Sequence, residues 1–99
     1  MVICLACGAK VTRIGDAIRI SGQHAHVCVN PEGISYDIAC YRNAPGCREL
    51  GEPEAFWSWF AGYAWSPAIC RGCGLHLGWG FRSEQDHFFG LIRSRISLG

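Results

Sequence analysis

The chain has 99 residues, of which 49% are apolar, and a formal net charge of +1. This length fits one domain over residues 1–99 with a small hydrophobic core. The chain has nine basic and eight acidic side chains, so we expect no basic surface that would bind duplex nucleic acid. It is rich in aromatic residues and poor in charged ones, so we do not expect it to be disordered.

The N-terminal segment, residues 1–7, is apolar but lacks the basic region of a signal peptide. No stretch reaches the ~20 apolar residues of a membrane span. We therefore expect a cytoplasmic protein without a membrane partner. In that compartment, cysteines hold metals more often than they form disulfides.

Frequent turn signals divide the chain into short runs, which favours strands over long helices. The first clear hairpin surrounds the turn Asn30-Pro31-Glu32-Gly33, with strands predicted over 26–29 and 34–38. Before it, residues 16–20 fit either a helical turn or a strand. After it, residues 43–54 are predicted to be an irregular connection.

Strict alternation over residues 75–81 predicts a strand with Leu75, Leu77, Trp79 and Phe81 on one face. Its two glycines, at 78 and 80, lie on the other face and leave room for close approach of a neighbour. A last strand is expected over 91–98, with Ile92 and Ile96 inward and the arginines outward.

Two cysteine pairs have the spacing of metal-binding turns. Cys4 and Cys7 precede Gly8, and Cys70 and Cys73 precede Gly74. Each C-x-x-C turn brings two sulfurs to adjacent corners of a tetrahedron, and four thiolates form a closed, structural site. We predict one structural zinc ion that joins the start of the chain to its last third.

Three further cysteines have no assigned ligand role. Cys28 and Cys40 lie in predicted strands and are expected to pack in the core, as free cysteines usually do. Cys47 lies in the predicted irregular connection and is expected to be an exposed, reactive thiol.

All four tryptophans lie between residues 57 and 79. They could form an aromatic core, which is the common role of tryptophan in a small β-domain. Alternatively, rings from three segments could form a cup that holds a flat ring or a cation. The sequence pattern alone leaves both interpretations open.

Four segments together carry a family resemblance. They are residues 57–65 (WSWFAGYAW), 70–73 (CRGC), 76–81 (HLGWGF) and 89–94 (FGLIRS). In this order and spacing, with the first cysteine pair and the Asn30 hairpin, they resemble the thalidomide-binding (CULT) domain family of the cereblon type. The resemblance covers essentially the whole chain.

The resemblance implies a mostly β, β-tent fold of antiparallel sheets, joined by one Cys4 zinc site. It implies an aromatic cage formed by Trp59, Trp65 and Trp79, with Phe81 as a fourth ring. It also implies that backbone groups of residues 57–59, which include Trp57 and Ser58, bond the edge of a cyclic imide, while Asn30 closes over the ligand. Trp57 departs from the family pattern, which often has histidine there.

The implied function is binding and not catalysis. Expected ligands are glutarimide- or thalidomide-type cyclic imides, uracil- or uridine-type rings, or cyclic imides at protein C-termini. The chain's length resembles free-standing, single-domain bacterial members, so no ubiquitin-ligase adaptor is expected as a partner.

Three other functions compete with this hypothesis. A methyl-ammonium or peptide reader would use the same cage with Glu52 and Glu54 nearby. A methionine sulfoxide reductase of the B type shares the implied fold, but its catalytic cysteine follows the second pair, and here no cysteine follows Cys73. A nucleic-acid adaptor would need a basic groove, which this composition does not provide.

Overall fold

The computed structural model describes residues 1–56 and 58–99, and most of them lie in short antiparallel strands. The strands are β1 Val2–Cys4, β2 Lys10–Thr12, β3 Ala25–Val29, β4 Ser35–Tyr41, β5 Cys47–Glu49, β6 Ala64–Cys70, β7 His76–Arg82, β8 His87–Ile92 and β9 Ile96–Leu98, with 3₁₀ turns over Ile14–Asp16 and Arg93–Arg95. Within these residues, no helix is long and apolar enough to cross a membrane. The predicted mostly β fold of antiparallel sheets is confirmed.

Two sheets form the molecule. One has three strands in the order β2-β1-β9, and the other has six in the order β3-β4-β8-β7-β6-β5. Side chains alternate between the two faces of the large sheet, as the pleat requires. On β4, for example, Ala39 and Tyr41 point to one buried cluster, whereas Ile38 and Cys40 point to another.

The first buried cluster, here called the inter-sheet core, lies between the two sheets. It joins Val2 and Val11 of the small sheet to Leu77, Phe89 and Leu91 of the large sheet. The second cluster, here called the aromatic face, lies on the opposite side of the large sheet. Its buried members are Ile38, Cys40, Trp79, Phe81, Phe88 and Ile92, and the rings of Tyr36, Trp59, Phe60, Tyr63 and Trp65 pack against them.

The hairpin of β3 and β4 forms where the sequence predicts it. Gly33 adopts a φ of 85°, and its N–H donates to the Asn30 carbonyl at 2.9 Å. Asn30 Oδ1 also accepts from the N–H groups of Glu32 at 3.0 Å and Ile34 at 2.9 Å. The asparagine therefore holds the turn through its own side chain.

The predicted common face of the 75–81 segment is correct for Trp79 and Phe81 and wrong for Leu75 and Leu77. The register of β7 against β6 shifts between Ala68 and Ile69, so that one extra residue enters β7. Such a bulge reverses the alternation. Leu77 consequently lies in the inter-sheet core, with Leu75 packed against it, while Trp79 lies on the aromatic face.

Three other expectations change with the structure. The 91–98 segment is not one strand, because the 3₁₀ turn Arg93–Arg95 separates β8 from β9. Residues 14–16 form a 3₁₀ turn, so the 16–20 segment begins in a helical turn and contains no long strand. The connection over 43–54 is not irregular throughout, since β5 pairs with β6 inside it.

Cys40 is fully buried, and Cys28 is half-buried on β3, as expected for packing residues. The expectation for Cys47 was wrong. It is buried on β5 opposite Cys70, and burial raises the pKa of its thiol to about 12. A thiol in that environment is not the reactive group that an exposed connection would have carried.

Close packing of β7 on β8 gives a test of the fold. A Cβ on Gly78 would lie 2.0 Å from the Gly90 carbonyl oxygen, which is backbone and cannot rotate away. We expect Gly78→Ala to destabilise the protein by about 1–3 kcal/mol and lower the midpoint of thermal unfolding by at least about 4 °C.

The matched control is Gly15→Ala, because a Cβ there meets nothing within 4 Å. Circular dichroism melts of both variants measure the difference. Equal midpoints would show that β7 and β8 are not packed this closely.

Candidate functional site

The four predicted ligand cysteines lie together at one end of the two sheets. Cys4 ends β1 and Cys70 ends β6, while Cys7 and Cys73 lie in the turns that follow. The Cys4 and Cys73 sulfurs are 3.7 Å apart, and those of Cys7 and Cys70 are 3.6 Å apart. All four Sγ atoms lie within 4.8 Å of one another, so they could hold one metal ion.

The two cysteine turns have the same local geometry. The Gly8 N–H donates to the Cys4 carbonyl at 2.8 Å, and the Gly74 N–H donates to the Cys70 carbonyl at 2.9 Å. Both glycines have positive φ, 75° and 80°, which explains why glycine follows each pair. The shared C-x-x-C-G pattern thus gives the two turns the same hydrogen bond and the same glycine conformation.

Backbone N–H groups also point at sulfur. Burial raises the pKa of the Cys70 thiol, but hydrogen bonds from the N–H groups of Cys73 and Gly72 and from the thiols of Cys7 and Cys4 lower it, and the result is a pKa of about 7. The Gly72 bond measures 3.3 Å. Donors of this kind favour the thiolate, which is the form that binds a metal.

A cysteine variant tests the metal site directly. We expect Cys73→Ser to lose the bound metal and to lower the thermal unfolding midpoint, because metal binding to such a cluster contributes to folding. Elemental analysis of the purified protein measures the metal per chain.

Cys28→Ser is the control, since Cys28 lies on β3 outside the cluster and should keep the metal. Equal metal content in both variants would contradict the site.

The predicted cage residues converge on the aromatic face. Trp65 lies on β6, Trp79 and Phe81 lie on β7, and Trp59 comes from the segment between β5 and β6. The Trp59 ring stands nearly perpendicular to both other indoles, with centroid distances of 4.9 Å to Trp65 and 4.7 Å to Trp79. The rings of Trp65 and Trp79 are 5.9 Å apart and inclined by 22°.

Phe81 lies beside Trp65, its direct partner across β6 and β7, and two residues along β7 from Trp79. It is fully buried, and its ring centroid lies 6.2 Å from that of Trp65 and 6.5 Å from that of Trp59. Phe60 and Phe88 pack against it at 4.8 Å and 5.1 Å. These phenylalanines continue the aromatic face next to the indoles.

Two rings beside the indoles were not predicted from the sequence. The Tyr36 ring lies 5.1 Å from Trp79, and the His76 ring lies 4.8 Å from it. The alternation of Tyr36, Ile38 and Cys40 along β4 is the signal that could have placed Tyr36 on this face. Burial lowers the pKa of His76, whose Nε2–H donates to the Gly78 carbonyl at 2.7 Å.

The β3–β4 hairpin is tied to the indoles by one bond. Trp59 Nε1–H donates to the Val29 carbonyl at 2.9 Å, which brings Asn30, the next residue, close to the cluster. Trp65 Nε1–H donates to the Phe56 carbonyl at 3.2 Å. The side chain of Ser58 bonds the backbone of Phe60, and Trp57 lies outside the described residues.

A polar network anchors the other end of the segment that carries Trp59. Tyr63 Oη–H donates to Asp86 at 2.6 Å, and Arg42 donates to the second oxygen of the same carboxylate. The Tyr63 bond is the main cause of the lowered pKa of Asp86, with the Arg42 guanidinium and the His87 N–H acting in the same direction. The turn between β7 and β8 thus holds the aromatic segment in place.

A pH series tests this anchor. A lowered folded-state pKa means that Asp86 stabilises the protein above about pH 4 and loses this effect as the pH falls through the folded-state value. We expect Asp86→Asn to have a lower midpoint of thermal unfolding than the unchanged chain at pH 7. The difference between the two midpoints should become smaller as the pH approaches 3.

Both proteins carry the same cysteine cluster, so its acid sensitivity cancels in the comparison. A gap that stays constant with pH would show that the carboxylate charge is not the stabilising group.

A cavity of about 240 Å³ borders the indoles on their outer side. It is lined by Glu52, Glu54, Trp65, Pro67 and Trp79. Glu54 is held there by paired backbone bonds with Trp65, at 2.8 and 2.9 Å. Two carboxylates therefore flank the indole pair.

Comparison with curated proteins finds relatives named protein cereblon. The one from Drosophila erecta is 32% identical over 108 residues, which cover 100% of this chain and 18% of the relative. Those from Danio rerio and Gallus gallus are 37% and 38% identical over 73 residues. The matched residues cover 69% of this chain in both cases, and 17% and 16% of the two relatives. The chain thus spans less than a fifth of their length. No family model matches the chain.

Proposed function

The chain is a cereblon-like (CULT) domain, and from this premise we propose that its aromatic face binds a small cyclic imide in a site stabilised by one zinc ion. The observation that carries the proposal is the meeting of Trp59, Trp65 and Trp79, with the first ring perpendicular to the other two. Indoles in this arrangement offer flat apolar walls in more than one direction. Such walls match a flat ring with an apolar body.

A cyclic imide also has a polar edge of two carbonyls and one N–H, which must find partners in a buried site. Asn30 is suited to one of them. Its Oδ1 is occupied by the hairpin turn, and its Nδ2 has no partner among the described residues, so the amide can donate to a ligand carbonyl. The Trp59–Val29 bond keeps that amide beside the indoles.

The three indoles contact one another directly. Trp59 lies 4.7 and 4.9 Å from its two neighbours, so a ligand ring between them must replace at least one of these ring–ring contacts. We propose that Trp59 is the ring that moves. It comes from a connecting segment, whereas Trp65 and Trp79 are fixed on paired strands β6 and β7.

Zinc is the metal that we propose for the cysteine cluster. A tetrahedron with Zn–S bonds of ~2.3 Å has sulfur–sulfur edges of about 3.8 Å. The observed pairs of 3.7 and 3.6 Å fit that size, and four thiolates are the donor set that zinc prefers. Such a closed shell leaves no position for a substrate, which gives the metal a structural role.

The zinc would act on the binding site through the strands. Cys70 ends β6, which carries Trp65, and Cys73 lies in the turn to β7, which carries Trp79 and Phe81. Clamping that turn holds the register of the two strands. Because the indoles stand on neighbouring strands, their spacing depends on this register.

The proposed ligand class extends beyond glutarimide. Uracil-type rings present the same edge of two carbonyls and an N–H. A protein C-terminus that has cyclised to an imide presents this edge on a peptide.

We propose binding, and not catalysis, because the described thiols outside the metal cluster are poor nucleophiles. Burial raises the pKa of Cys28, and it raises the pKa of Cys40 to about 12.

Titration with glutarimide tests the proposal. We expect saturable quenching of tryptophan fluorescence, because the ligand ring would lie against the indoles. N-methylglutarimide, which lacks the N–H, should bind at least about tenfold more weakly, since the backbone acceptor that the family resemblance implies in residues 57–59 would stay unpaired.

Trp79→Ala should abolish the glutarimide response and retain one zinc per chain, as the residue lies outside the metal cluster. Retained affinity in that variant would overturn the assignment of the walls. Saturating glutarimide with neither quenching nor a thermal shift would overturn the imide site.

A cation is the second candidate ligand, favoured by the cavity where Glu52 and Glu54 flank Trp65 and Trp79. Cations bind on indole faces, and carboxylates add charge attraction. Tetramethylammonium in the same titration separates the two candidates. Quenching by tetramethylammonium that is lost in Glu52→Gln/Glu54→Gln, with no response to glutarimide, would favour the cation reader.

A further inference from the structure

A second cavity lies on the opposite side of the large sheet from the indoles. It has a volume of about 330 Å³ and opens between the two sheets. Its apolar walls include Val2, Ala25, Ala39 and Leu98. Ala25 and Ala39 are direct partners across β3 and β4, so two methyl groups stand where larger side chains would fill the space.

One polar group in this cavity has no partner. Tyr41 is only 7% exposed, and among the described residues its hydroxyl makes no hydrogen bond. Every fully buried side-chain oxygen or nitrogen of the described residues has a hydrogen-bond partner. The unbonded Tyr41 oxygen is therefore accessible, and Tyr41 lines the cavity. A hydroxyl that is open to a cavity and unbonded within the fold can take its partner from water or from a ligand.

The Tyr41 ring is held firmly beneath that opening. His24 packs edge-on against it, with centroids 5.3 Å apart, and His24 is itself fixed by a 2.9 Å bond between Nδ1 and the Ile18 carbonyl. The tyrosine hydroxyl is therefore a preorganised donor.

Arg93 borders the same cavity. Among the described lining residues it alone carries a permanent charge. Its guanidinium meets Asp37 at 3.2 Å, in a pair that is about half-exposed on both sides. Burial raises the pKa of Tyr41 while the Arg93 charge lowers it, which agrees with the guanidinium and the hydroxyl lying near each other.

We propose that this inter-sheet cavity binds a small amphipathic carboxylate, with its apolar body against the alanine pair and its carboxylate accepting from Tyr41 and Arg93. In the described residues only Nη1 of Arg93 bonds Asp37, so its other N–H groups can donate to a ligand. A cation shared with Asp37, together with one hydroxyl, suits a monoanion better than a phosphate dianion. A cavity near the lower end of the ligand-site range suits a compact aryl or alkyl acid. This site shares no residue with the aromatic face. A test of carboxylate binding is therefore independent of whether the aromatic face binds an imide.

Phenylacetate is the test ligand, with neutral phenylacetamide as its matched control. In ¹H–¹⁵N spectra of the zinc-loaded protein, millimolar phenylacetate should shift the amide signals of residues 39–41 and 96–98 in a saturable way. The indole signals of Trp59, Trp65 and Trp79 should stay in place. Phenylacetamide should bind at least about tenfold more weakly, because it lacks the charge that Arg93 recognises.

Tyr41→Phe and Arg93→Gln should each weaken phenylacetate binding at least about tenfold. Arg48→Gln is the charge-matched control, since Arg48 is exposed on β5 outside the cavity, and it should bind like the unchanged chain. Ala39→Leu should block binding by filling the space.

A melting experiment separates a ligand site from a structural role. The Tyr41 hydroxyl has no partner within residues 1–56 and 58–99, so Tyr41→Phe should keep or raise the thermal midpoint. The proposal is overturned if phenylacetate causes no saturable shift, if phenylacetamide binds equally well, or if Arg93→Gln and Arg48→Gln bind alike. A large drop of the Tyr41→Phe midpoint would also contradict it, because the hydroxyl would then be bonded within the fold.

Discussion

The structure depends on the convergence of four sulfur atoms from two distant parts of the chain. Cys4 and Cys7 belong to the small sheet, and Cys70 and Cys73 join β6 to β7 in the large one. The inter-sheet core alone is small, as expected for 99 residues. A metal ion held by this cluster at the common end of both sheets would keep the sheets at a fixed separation. The cavity between them and the aromatic residues beyond the large sheet both depend on this separation.

The large sheet divides the molecule into two chemically different sides. On one side, aliphatic residues and small alanines meet the second sheet. On the other, phenylalanines pack beside indoles, of which Trp59 and Trp65 are partly open to solvent. The tryptophans therefore differ in burial. Trp79 is 8% exposed and belongs to the packed core, while Trp59 and Trp65 remain half-buried at its surface.

Local patterns with strong geometric requirements were predictable from the sequence. The two C-x-x-C-G turns, the Asn30 hairpin and the face shared by Trp79 and Phe81 all follow from fixed spacing. Features that depend on distant partners were not. Cys47 appeared exposed because nothing local shows that β5 pairs with β6. The position of Tyr36 beside Trp79, and the Tyr63–Asp86 bond across 23 residues, arise only when the strands assemble.

The bulge in β7 has a consequence for how the chain can vary. One extra residue lets Leu77 enter the inter-sheet core while Trp79, two positions later, faces the other side. Cys73 fixes the strand at one end, so the count of residues from metal ligand to indole sets which side the indole occupies. A single insertion or deletion between Cys73 and Trp79 would turn Trp79 and Phe81 toward the second sheet, even if all the existing side chains were kept. The spacing is therefore under as strict a constraint as the residues themselves.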